Sequence, residues 1–130
     1  MNMRYLSFIL LLIIATACNK TTINSSSNKV TGKWKLTETL FDPGDGSGQW
    51  TAASTLNPSY VEFTVDAKFK STSYFSDFDQ YHFNPDSTRI ILNKSGSSQT
   101  IELFYTLQQA KLSLNPPCDE ACGLRYKRVK

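Results

Sequence analysis

A single histidine, His82, stands among the 130 residues, and there are three cysteines, Cys18, Cys118 and Cys122. No Gly-x-Ser-x-Gly, His-Glu-x-x-His or P-loop pattern occurs. The local geometries that present a nucleophile, hold a catalytic zinc or cradle a nucleotide phosphate therefore have no residues to build them. With the one histidine on the outward parity of its segment, a Ser-His-Asp arrangement lacks its base. Asp77 and Asp79 fall on a turn that implies no pocket and read as solubilising. The chain reads as non-enzymatic and cofactor-free. Charge is also sparse, 14 Lys and Arg against 11 Asp and Glu, and the one dense run is Arg125, Lys127, Arg128 and Lys130. A basic run on a terminal strand is a solvated face rather than a stripe that tracks phosphates, which argues against a nucleic-acid partner.

A long apolar run is missing too. The stretch from Tyr5 to Ala17 holds about thirteen residues, short of the roughly 17 to 25 that span a bilayer as a helix. Met1 to Arg4 give it a positive start and Ala15-Thr16-Ala17 a small-residue end, the organisation of a processing signal. Small residues running directly into Cys18 resemble the lipobox of bacterial lipoproteins, with Ala15 where leucine is usual. Ordinary secretory cleavage after Ala17 and a buried or accidental Cys18 are the alternatives. The lipobox resemblance implies that residues 1–17 are removed and that Cys18 becomes the acylated first residue. The bilayer is then a partner and the location is the cell envelope, on the outer membrane facing the periplasm or the surface. Several acyl chains hold far more firmly than one. Removing residues 1–17 from the 130 leaves 113, the size of one domain. Residues 18–29, polar and serine-rich, form a tether with a reach of roughly 15 to 20 Å.

From Val30 to the end the apolar residues recur with period two, and convincing helical periodicity is absent. The alternating segments are WKLTETL, VEFTV, KFKSTSYF, FDQYHFN, TRIIL, IELFYTL, KLSL and LRYKRV, joined by turns rich in Asn, Pro, Asp, Gly and Ser. Residues 41–59, with DPGDGSG, are the exception and read as a long functional loop. Eight half-apolar strands leave a sandwich or a closed barrel, and the number favours closure, which removes exposed edges. The expected class is all-β, an eight-stranded antiparallel up-and-down barrel over residues 30–130.

Gly32-Lys33-Trp34 at the first strand, a basic residue on the last strand and the tail NPPCDEACGLRYKRV together resemble the lipocalin-like domains of small Bacteroidetes-type lipoproteins. That resemblance implies a binding protein that holds a small apolar or amphipathic molecule in the barrel. In such a topology the first and last strands pair, so Trp34 should meet Arg128 and close one end, with Gly32, as structure. The alternative for Arg128 is a solvated terminal charge. The other end should be an open mouth ringed by Glu38, Leu40, Trp50, Phe75, Ile101 and Leu114. Gly44, Gly46 and Gly48 should let the long loop move aside, unless Trp50 simply packs on the rim. Ser71 and Ser73 share the inward parity of Phe69 and Phe75 and would leave room inside. Glu38 has inward parity and must contact a ligand, be hydrogen-bonded, or be turned outward by a bulge.

Cys118 and Cys122 should form a disulfide in an oxidising envelope compartment. The competing idea is a metal site with His82, Asp119 or Glu120, but the spacing is not that of a metal knuckle. Two functions stay open: a ligand-binding barrel, or a filled barrel whose open-end loops dock another envelope protein. The expected inward rings Trp34, Phe63, Phe69, Phe75, Tyr81, Phe83, Tyr105 and Tyr126 limit the space for a ligand, and the interior volume discriminates between the two.

Overall fold

The computed structural model describes residues 30–130. The expected signal peptide, Cys18 and the tether lie outside them. Nine antiparallel strands run in chain order: β1 Gly32–Phe41, β2 Gln49–Ala52, β3 Tyr60–Phe63, β4 Phe69–Ser71, β5 Gln80–Phe83, β6 Arg89–Asn93, β7 Thr100–Gln108, β8 Lys111–Asn115 and β9 Cys122–Arg128. The ring order is β4-β3-β1-β9-β8-β7-β6-β5, with β2 added beside β1. All eight alternating segments of the sequence have become strands. First and last meet through the register Trp34↔Arg128 to Phe41↔Cys122.

The ring is nearly closed. Between β4 and β5 only the Lys68↔Gln80 bridge and flanking bonds remain, Phe69 N–H to Asp79 O at 2.9 Å and Tyr81 N–H to Ala67 O at 3.0 Å. Side chains knit this seam where the backbone ladder is thin. Phe63 meets Phe69 and Tyr81 with ring centroids 5.2 and 5.0 Å apart, and Tyr81 passes the contact to Phe83 and Phe83 to Tyr105. Such edge and tilted pairs contribute about 0.5 to 1.5 kcal/mol each beyond their burial. The Tyr81 and Tyr105 hydroxyls donate to the turn carbonyls of Thr64 and Ser87, so neither phenol is buried without a partner.

Three departures from simple alternation set the surface. First, residues 41–59 are not a free loop: β2 pairs the upper half of the β1 edge and β3 the lower half. Ala53 N–H to Thr37 O and Leu36 N–H to Ser59 O continue the ladder on either side of the excursion between them. Second, β1 carries a bulge. Leu36 faces Tyr126 and Glu38 faces Arg125, leaving Thr37 as the extra residue, with its hydroxyl donating to Arg125 O. One extra residue reverses every side chain beyond it. Third, β4 stops at Ser71. Phe75 adopts a positive φ of 64° and its carbonyl accepts from Phe78 N–H, so the chain turns where the alternation of KFKSTSYF predicts continued strand. Ser73 is exposed, its N–H bonding to Ser71 Oγ, and it does not line the interior as its parity suggests.

Candidate binding surface

The barrel interior decides where a ligand can sit. Trp34, Val61, Phe63, Phe69, Ile90, Leu92, Leu103, Leu112, Leu114 and Tyr126 are buried to within 2% of complete, Tyr81 is buried beside them, and Phe75, Phe83, Ile101, Tyr105 and Leu107 pack against them. Every ring expected to point inward is in this cluster. Burial pushes the Tyr126 phenol well above its ordinary value, which keeps it neutral inside the barrel.

The closed end is plugged as its topology predicts. The Arg128 guanidinium lies 4.1 Å from the centre of the Trp34 ring and donates to Thr31 O at 2.7 Å. The Trp34 indole N–H donates to Val30 O at 2.7 Å. Gly32 has a φ of +126°, and a β-carbon there would sit 2.7 Å from the guanidinium, so the glycine is required twice over.

At the other end the structure does not bring the six expected mouth residues together. Leu114 is fully buried in the core, and Ile101 and Phe75 pack on its margin. Glu38 and Leu40 are on the outer wall, because the bulge at Thr37 turns them, and Trp50 joins them there as the partner of Leu40 on β2. Glu38 stands opposite Arg125, whose neighbours Leu124 and Tyr126 point inward, and the two side chains form an ion pair at 3.3 Å, each about two-fifths exposed. Leu40 stands opposite Gly123 on one side and Trp50 on the other. Trp50 is pinned rather than poised. Arg125 stacks over its ring at 3.7 Å, and a β-carbon on Gly123 would lie 2.8 Å from the indole. Glycine at 123 lets the ring lie on the barrel wall.

The loop after β1 is fixed as well, by a residue that the sequence reading passed over. Asp42, only 8% exposed, accepts the backbone N–H groups of Gly44, Gly46 and Gly48 at 2.9, 3.1 and 3.1 Å. The bond from Gly44 is the largest cause holding its carboxyl below the ordinary carboxylate value, with those from Gly48 and Gly46 adding to it. The three glycines thus serve a tight wrap around one carboxylate and do not make the loop free to swing. The signal was present in DPGDGSG as an aspartate followed by glycine at the second, fourth and sixth positions. Asp42 N–H also donates to Ala121 O, tying this loop to residues 116–121. The Cys118–Cys122 disulfide staples that second loop. His82 is exposed on β5, with Nδ1 at 2.9 Å from Asn93 Oδ1, and among the described residues no His, Cys, Asp and Glu group gathers to hold a metal.

Among the described residues, two concave features lie outside the barrel. A groove of about 570 Å³ crosses β1, β9, β8 and β7 between the hydroxyls of Thr37, Thr106 and Ser113 and the charges of Glu38, Arg125, Lys111 and Lys127. A second, of about 450 Å³, runs between Lys35, Ala52, Ala53 and Val129. The larger groove offers hydrogen bonds and positive charge, with no pairing of nucleophile and base. No family model, curated protein or solved structure matches the chain.

Proposed function

We propose that this chain is a lipid-anchored, lipocalin-like module of the cell envelope, without enzymatic activity, which docks another envelope protein through the fixed loops at its open end. The observation that carries the reading is the filled interior: the positions that would line a ligand chamber are occupied by the protein's own leucines and aromatic rings. The residue pattern that resembles lipocalin-like lipoproteins supports the placement. Gly32 and Trp34 with Arg128 form a closed end of the kind that resemblance implies. The same fold with a full core is put to a different use, since fold does not dictate function.

The open end favours docking because it is preorganised. Residues 42–48 are wrapped on Asp42 and residues 116–121 are held by the disulfide. Phe41, at the root of both loops opposite Cys122, is 75% exposed. Rigid loops lose little entropy on association, and an exposed aromatic is a ready anchor. Acylation of Cys18, in the stretch LLIIATAC, supplies the attachment and the envelope address.

Native mass spectrometry of the protein purified from its own host tests both parts. The expected spectrum shows an acylated Cys18 and no retained small molecule. A photo-crosslinker at position 41 should then capture one envelope protein that the same probe at Thr106 does not. A retained apolar ligand, with saturable binding of an apolar probe by the wild-type domain, would overturn docking in favour of the ligand-binding barrel.

A further inference from the structure

The outer wall near the closed end carries an arrangement of charge that sheets usually avoid. Lys35 of β1 stands directly opposite Lys127 of β9, and Lys127 directly opposite Lys111 of β8. The row continues to Tyr60 on one side and Gln108 on the other, so five adjacent strands contribute three lysines and no carboxylate. Like charges placed opposite one another destabilise a sheet. The neighbouring row on β1, β3 and β4 shows the ordinary solution, Lys33 opposite Glu62 opposite Lys70. Among the described residues the ion pairs are Arg89–Glu102 and Arg125–Glu38, and neither involves the three lysines. Glu38, the nearest acid in the next outward row, is engaged by Arg125. Asp66 and Asp86, the acids of the closed-end turns, stand in the β3–β4 and β5–β6 connections, away from β8 and β9.

The chain enters the barrel at this same end. Val30, bonded to the Trp34 indole, is preceded by 29 residues that include Cys18. We infer that the Lys35–Lys127–Lys111 row is a docking surface for the anionic headgroups of the bilayer in which the chain is anchored. The inference rests on the proposed anchor for proximity and adds to it an orientation: the lower wall of β1, β9 and β8 against the membrane, the open-end loops directed away. Charge complementarity selects this occupant. Three uncompensated cations on an exposed, hydroxyl-rich wall match a dense layer of phosphates, and each lysine near an anionic surface strengthens binding by about fivefold. The Thr106 and Ser113 hydroxyls in the adjoining groove give headgroup oxygens further donors.

The test uses the full chain in vesicles, either phosphatidylcholine alone or equal parts phosphatidylcholine and phosphatidylglycerol. The rate at which a water-soluble reagent acylates each lysine is read by mass spectrometry. Lys35, Lys111 and Lys127 should react severalfold more slowly on the anionic vesicles, Lys94 in the distal β6–β7 turn at an unchanged rate, and high salt should abolish the difference. Lys127→Glu should remove the protection of Lys35 and Lys111 while leaving the barrel folded. Equal rates on both vesicles, or equal slowing of Lys94, would overturn the inference. Protection produced by inorganic phosphate with neutral vesicles would overturn the bilayer as the occupant. The same digest reports the mass of the Cys18 peptide. An unmodified Cys18 rejects the anchor, while the lysine pattern with added vesicles still decides the docking surface.

Discussion

Replacing Trp34 by alanine should be the most damaging single change at the closed end. The side chain is fully buried, its N–H is bonded to Val30 O at 2.7 Å, and its outer face carries the Arg128 guanidinium. Deleting a buried indole costs about 3 to 5 kcal/mol, because the lost transfer energy is joined by a cavity the neighbours cannot fill. For a domain of this size that corresponds to a fall in Tm of at least about 12 °C. Arg128→Ala should cost less, about 1 to 3 kcal/mol, from the bond to Thr31 O and the ring contact together. The two losses should not add. Once the indole is gone the guanidinium has no ring to stack on, so a double-mutant cycle read by urea denaturation should show a coupling of about 0.5 to 2 kcal/mol. If Trp34→Ala is too unstable to measure, Trp34→Phe keeps a ring beneath Arg128 and removes the N–H. It should lose about 1 kcal/mol while retaining part of the coupling. Additive losses in both cycles would refute the stack as an energetic unit, and the closing of this end would then rest on shape alone.

Non-reducing peptide mapping should recover Cys118 joined to Cys122, and replacing both by serine should cost about 2 kcal/mol, the loop-closure figure for so short a ring. Two freely alkylated thiols would reject the pairing. Asp42→Asn should speed hydrogen exchange at the Gly44, Gly46 and Gly48 amides. Because the Asp42 carboxyl titrates below its ordinary value of 3.8 when folded, its contribution is present above that value and is lost as pH falls through the lower folded one. Loop protection that is unchanged on acidification would show that the wrap does not depend on the charge. Leu114→Ala should cost about 2 to 5 kcal/mol if it fills a packed core, whereas Glu38→Gln, at a half-exposed ion pair, should cost at most about 1 kcal/mol. The reverse order would restore Glu38 to the interior and Leu114 to a ligand wall.

What the sequence made legible follows from which interactions are periodic. The eight alternating segments and their turns carried the strands, because burial on one face of a sheet imposes period two on every residue of the segment. The meeting of Trp34 with Arg128 followed from topology alone, since an up-and-down ring must join its ends. Events that break the period left no trace in it. The bulge at Thr37 is a single residue inside an otherwise perfect WKLTETL, yet it moved Glu38 and Leu40 from the interior to the wall. Gln49–Ala52 is too short to show alternation, and its pairing is decided by the free edge of β1. KFKSTSYF alternates beyond Ser71, but the positive φ at Phe75 belongs to the turn and cannot be read from parity.

The consequence for function lies in how the two ends differ. An interior ligand needs a mobile gate and a wall that tolerates being empty. At the closed end the gate position is taken by Trp34 and Arg128. At the open end Asp42 binds the glycines that would have made a hinge, and Trp50 lies clamped between Arg125 and Gly123 on the outside. Glycine in a loop lowers the cost of unusual geometry but does not by itself confer motion, and here that geometry is used to place three N–H groups on one carboxylate. With Trp34 and Arg128 at one end and the Asp42 wrap at the other, both ends are held by the protein's own contacts. On the proposed reading recognition then falls to the outer surface, where the loops tied by Asp42 and the disulfide and the Lys35–Lys127–Lys111 row occupy opposite ends of the same β1–β9 seam.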